Sequence, residues 1–263
     1  MDAAIRALAT WDAIIENTPG RTLNVGLYWG SYTNGTLAGA SSHFLPSYTS
    51  TFEKTNTIAE EVWRNGSTYN DDAVYFYDIY VICNTNANFY YGEAPLTGNS
   101  NQYDFQSVLF HEIGHAVGFN SQLQSNGTFK TEYGSTLYTT YDSLITDEEG
   151  IKIVDKAANG QQAVSLGETL SLEGTTLTVF NPTTYQDGSS FAHIDPVSDP
   201  DAVMQSTITN DTSRRMLSEE EFLLMERMGW DMVSYSDVVP EPSTTTLTLF
   251  TLVALSLRRK RTA

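Results

Sequence analysis

A chain of 263 residues, 40% of them hydrophobic, is long enough for a substantial core in one large domain or two small ones. Its formal charge of −18, from 32 acidic against 14 basic residues, argues against nucleic-acid binding, because neutralising phosphates needs a basic face. With Cys83 as its one cysteine it cannot form an intramolecular disulfide.

Asp2–Glu16 reads as an amphipathic helix with Ile5, Leu8, Trp11 and Ile15 on one stripe, closed by Asn17-Thr-Pro-Gly20. Leu23–Trp29 alternates like a strand, and a more exposed segment surrounds Gly39–Leu45. Phe52–Trp63 is expected to be a short helix. Tyr75–Cys83, dense in aromatic and β-branched residues, is the strongest strand signal, with Cys83 a small buried hydrophobe within it. Asn84–Ser100 is turn-rich. Residues 120–190 are rich in Gly, Ser, Thr and Asn, with strands expected at Ile151–Val154 and Thr169–Phe180 and no long helix. Ser218–Met228 is a helix opened by a Ser218/Glu221 capping box, with Phe222, Leu223 and Met225 inward, and it ends at Gly229-Trp230.

The chemistry concentrates in Asp104–Phe119, DFQSVLFHEIGHAVGF. Asp104 is placed to cap a helix whose apolar positions are Phe105, Val108, Leu109 and Ile113, and Gly118 is placed to end it. His111 and His115 are four apart, so on a helix their Cβ atoms stand about 5–6 Å apart on one face. Two imidazoles there can share a metal ion, and Glu112 between them is the pattern's general base. Imidazole nitrogen suits zinc, and a catalytic zinc keeps three protein ligands plus a water.

Two other histidines could supply the third ligand. His43 precedes the helix among Ser41, Ser42 and Phe44, whereas His193 closes Ser189-Ser-Phe-Ala-His193, eleven residues before Met204. The run His-Glu-x-x-His-x-x-Gly-Phe, followed at a distance by His193 and then Met204, resembles the leishmanolysin-type metzincins, in which an insertion separates the helix glycine from the third histidine. Ser121 stands where the compact metzincin pattern has its third histidine. The resemblance implies a zinc ion on His111, His115 and His193. It further implies a zinc-bound water activated by Glu112 for peptide-bond hydrolysis, and Met204 as an apolar floor that does not ligate. It implies an α+β, zincin-like fold. A mixed twisted sheet and the active-site helix would fill residues 1–119, and an irregular, β-rich insertion with a final helix would fill residues 120–235. Substrate would add to an edge strand, with Tyr75–Gly92 as the candidate. The chain departs from leishmanolysins in lacking their disulfides.

The last residues form a different device. Val239-Pro-Glu-Pro-Ser243, the apolar run Thr244–Leu257 and the basic end Arg258-Arg-Lys-Arg261 resemble the PEP-CTERM sorting signal of exported bacterial proteins, which an exosortase is thought to cleave. Residues 236–263 are therefore expected to act as a sorting tail, with 244–257 transiently in the membrane and the protein destined for the cell surface or extracellular matrix. An export signal is then expected upstream of Met1. Two alternatives stand beside the exported zinc endopeptidase. One is a gluzincin-like peptidase whose third ligand is acidic, with Glu132, Glu148 and Glu149 as candidates. The other is a non-catalytic surface or matrix protein with a structural metal. Asp195, Asp199 and Asp201 are candidate calcium ligands.

Overall fold

The computed structural model describes residues 1–16, 21–66, 76–98 and 100–238. The helix stop expected at 17–20, Tyr75 and the tail from Val239 onward lie outside the described residues. The chain opens with α1 (Asp2–Ile14), β1 (Val25–Gly30) and β2 (Ala38–Ser41). Where one helix is expected at Phe52–Trp63, the structure has β3 (Phe52–Lys54) and then α2 (Ile58–Asn65). A capping box sets that division: Thr57 Oγ1 accepts from the Glu60 N–H at 3.2 Å, and the Glu60 carboxylate accepts from the Thr57 N–H at 2.8 Å. Next come β4 (Ile79–Asn84), β5 (Phe89–Tyr90), β6 (Tyr103–Asp104) and α3 (Phe105–Ala116).

Beyond α3 the elements are short: β7 (Thr131–Glu132), β8 (Ser135–Tyr138), β9 (Ile145–Thr146), α4 (Ile153–Ala158), β10 (Ser171–Leu172), α5 (Glu219–Arg227) and α6 (Tyr235–Val238). The strand expected at Ile151–Val154 is instead a turn leading into α4. Asp147 Oδ1 accepts from the Glu149 and Ile151 N–H groups, and Ile153 and Val154 bury themselves on the helix. Of Thr169–Phe180 only β10 is a strand, with isolated bridges at Ser171, Thr178 and Val179. Among the described residues no helix is long and apolar enough to cross a membrane.

The architecture is mixed α+β with several small sheets. The principal sheet has the order β1-β4-β2, with β1 parallel and β2 antiparallel to β4. β4 is central, which fits its burial of Ile79, Val81 and Cys83. Of the edge candidate Tyr75–Gly92, β4 is thus the centre of the principal sheet, whose edges are β1 and β2, and β5 pairs with β6 in a separate two-stranded sheet. Helix α3 packs against α1, β2 and β4. That contact reverses part of the expected stripe on α1. Ala3, Ala4, Ala7, Trp11 and Ile14 are buried, while Ile5 is 56% and Leu8 37% exposed, because small side chains let the two helices approach closely. On α5 the buried residues are Phe222, Leu224 and Met225, with Leu223 only half-buried. Residues from both sides of position 119, from Ala3 to Met232, enter one hydrophobic core.

The start of α3 is pinned electrostatically. Asp104, fully buried, accepts from the Ser107 N–H at 2.8 Å as the helix N-cap. Arg215 meets the same carboxylate with Nε at 3.1 Å and Nη2 at 2.5 Å, and donates to the carbonyls of Gly92, Glu93 and Ala94. Burial by itself would push the Asp104 carboxyl up, but the Arg215 and Ser107 donors outweigh it and hold the pKa below the ordinary value. A depressed folded pKa stabilises the protein above the unfolded value of about 3.9 and ceases to do so as pH falls through the folded value. Arg215→Ala should leave a buried carboxylate without its cation and cost about 3–5 kcal/mol. Urea denaturation at pH 7 checks this, and an unchanged midpoint would show the pair to be dispensable.

Candidate metal centre

Helix α3 presents His111 and His115 to a cleft of about 780 Å³, within the usual range for ligand sites. The cleft runs between β2 and the segment following Met204. Its floor depends on how the helix ends. The last carbonyls of a helix have no partner within it. Here Asn120 Nδ2 donates to His115 O at 2.9 Å, Thr57 Oγ1 to Ala116 O at 3.2 Å and the Trp230 indole to Val117 O at 2.8 Å. A second indole, Trp11, donates to Phe110 O at 3.0 Å and stacks on the Phe110 ring. Helix α3 is thus held at its middle and at its C-terminal turn.

Gly118 has φ +131°, a conformation that L side chains rarely adopt, and it reverses the chain just past the helix. The reversal brings Phe119 O to 2.6 Å from His115 Nδ1. His111 Nδ1 meets Val203 O at 2.8 Å, and His193 Nδ1 meets Ser189 O at 2.8 Å. A carbonyl oxygen only accepts, so each Nδ1 must carry the proton and donate. In the neutral ring that leaves Nε2 as a bare lone pair. The three Nε2 atoms then face one another, at 3.0 Å (His115–His111), 3.1 Å (His115–His193) and 3.3 Å (His193–His111).

All three rings are biased toward neutrality. Burial, followed by the charge of His115, pushes His111 down to about 3. Burial also lowers His115, and burial with the neighbouring His115 and His111 takes His193 well below its ordinary value. Three converging lone pairs that resist protonation repel each other unless a Lewis acid sits among them. The donor set therefore fits a metal ion, and among the described residues it is the group of three that could hold one.

Glu112 is 7% exposed, and burial pushes its pKa to about 8 against the opposing effect of the Ala40 N–H on β2. Cys83 lies behind it with no exposure, its thiol pushed up to about 12 by burial and then by the Glu112 charge. A thiol so raised is inert. Met204 is fully buried, with its sulfur 2.4 Å from where a Cβ of Gly114 would stand. Met204 thus packs on α3 at the one interior position without a side chain, between the two helical histidines. A glycine inside a helix costs about 1 kcal/mol against alanine, and that local conflict was the signal of a close approach.

The remaining sequence candidates lie elsewhere. Glu132 pairs with Lys130 at 2.6 Å and accepts from the Tyr48 hydroxyl at 3.0 Å. Glu148 and Glu149 border a separate hollow beside Asp147. None of these three joins the histidines. Asp195 and Asp199 accept from the N–H groups of Val197 and Asp201 in local turns, and with Asp201 they form no ion-holding group among the described residues. His43 is exposed and packs its ring edge-on to Tyr80 at 5.8 Å. What sequence reasoning missed is the backbone contribution: the carbonyls of Phe119, Ser189 and Val203 leave no side-chain pattern to read.

Gly114→Ala gains about 1 kcal/mol of helix propensity but must displace the Met204 sulfur at an overpacking cost of about 1–3 kcal/mol, for a net loss of up to about 2 kcal/mol. In urea denaturation, Gly114→Ala combined with Met204→Ala should show a favourable coupling above about 0.5 kcal/mol; additive effects would mean that the sulfur does not press on the helix.

A protein-family model described as SPBPB7E8-like matches residues 71–165, which take in His111, Glu112 and His115 but stop short of His193. No curated protein and no solved structure matches the chain.

Proposed function

We propose that the chain is a zinc-dependent endopeptidase of the metzincin type, exported by way of its PEP-CTERM-like tail. The observation that carries this reading is the convergence of three Nε2 lone pairs, each fixed by a carbonyl on the far nitrogen, beside a buried carboxylate in an open cleft. His111, His115 and His193 would hold the ion, which when bound would supply Lewis acidity toward a carbonyl oxygen and acidify a water molecule.

The chain's own groups have distinct tasks. Glu112, raised to about 8 by burial, ionises fully at neutral pH only with a cation close by. It then takes a proton from the attacking water and returns it to the departing amine nitrogen. The substrate peptide would lie extended along β2, an edge strand lining the cleft. The β2 sequence Ala-Gly-Ala-Ser leaves that edge accessible, and nothing lies within 4 Å of where a Gly39 Cβ would stand. The main competing reading is a surface or matrix protein with a structural metal. Such a site is closed and has no use for a buried base beside an open cleft.

Metal analysis of the purified protein should find one zinc equivalent, lost in His193→Ala. Cleavage of casein should stop with a chelator. It should fall by about 10²–10⁴ in Glu112→Ala, while the zinc content stays that of the native chain. Casein cleavage undiminished in Glu112→Ala would sink the enzyme reading, and zinc retained in full by His193→Ala would sink the ligand set.

A further inference from the structure

The capping box that opens α5 has a second occupation. Glu221 is fully buried, and its carboxylate accepts from three backbone N–H groups. The donors are Ser218 at 2.9 Å, Val203 at 3.0 Å and Met204 at 2.7 Å. A capping box needs only the first of these. The other two reach across to a different segment, and both residues so held have carbonyls that serve the metal centre. Val203 O accepts from His111 Nδ1 at 2.8 Å. Met204 O accepts at 2.8 Å from the N–H of Ile194, the residue after His193.

We propose that Glu221 is a positioning residue for the metal centre: by gripping the Val203–Met204 peptides it fixes the tautomer and direction of His111 and the backbone that carries His193. This rests on the reading of the three histidines as metal ligands. The physical reason is that Val203 and Met204 lie in irregular chain, with no helix or long strand to orient them. A carboxylate is acceptor-only and can satisfy several converging N–H donors at once. A neutral amide of the same shape cannot, because its NH₂ group must face one of those donors. Partners that orient metal-ligating histidines typically change metal affinity 10–100-fold when altered.

The test compares Glu221→Gln with Ser218→Ala. The serine variant removes the other half of the capping box and should cost about 1 kcal/mol of stability. It leaves the Val203 and Met204 bonds in place. Zinc affinity, measured by competition with a chromophoric chelator, should fall about 10–100-fold in Glu221→Gln and stay within about twofold of the native chain in Ser218→Ala. In the metal-free protein, ¹H–¹⁵N spectra of the imidazoles should show the His111 Nδ1–H protected from exchange in the native chain and in Ser218→Ala, and lost in Glu221→Gln. Should Glu221→Gln fail to fold, Glu221→Asp, which keeps the charge but is one methylene short, is read in the same two ways. Unchanged affinity and an unchanged His111 signal would overturn the proposal, as would equal weakening by Ser218→Ala. If the native chain binds no zinc, the metal reading fails separately, and the His111 signal still decides whether Glu221 positions that ring.

Discussion

Three bare imidazole nitrogens within 3.3 Å of one another are the constraint on which the rest of this structure depends. Neutral rings so placed repel, and burial makes protonation an expensive escape. The arrangement persists because each ring is held from its other side by a backbone carbonyl that admits only one tautomer. Much of the surrounding fold serves to hold those carbonyls still: the Gly118 reversal for Phe119, the turn before His193 for Ser189, and the Val203–Met204 segment for His111.

The two sides of the cleft solve the same problem differently. On one side α3 is rigid by virtue of its own ladder, and the fold adds an N-cap salt bridge at Asp104 and two indole donors along its back. A regular element then carries His111, His115 and Glu112 at fixed spacing. On the other side the chain is irregular from Phe180 to Leu217, and order comes from single hydrogen bonds between distant segments. Sites built on irregular chain need such support, since nothing local sets the direction of a side chain. The buried sulfur of Met204 against Gly114 joins the two sides by close packing, with no polar contact required.

The candidate metal centre borders an edge of the principal sheet. β4 is flanked on both sides and contributes Cys83 near Glu112, whereas β2, among the described residues, is paired on one side only and lines the cleft. The small residues of β2 bring the Ala40 amide near the Glu112 carboxylate. The Glu112 carboxyl and the edge strand are therefore in contact.

What could be read from the chain alone was whatever short-range periodicity and capping control. Asp104 as N-cap, the spacing of His111 and His115, the stop at Gly118 and the Ser218/Glu221 box are all local, and all four appear in the structure. Periodicity was less reliable where packing partners decide: α1 buries its alanines because α3 approaches closely, and α5 turns Leu224 inward in place of Leu223. Only tertiary structure could decide that β2 borders the cleft, that His193 returns across 78 positions to His115, and that Glu221 reaches Val203 and Met204. The reason is physical. Helix and cap signals arise from neighbours a few residues apart, whereas loop closure and backbone hydrogen bonding leave no residue-type pattern, since every peptide unit carries the same donor and acceptor.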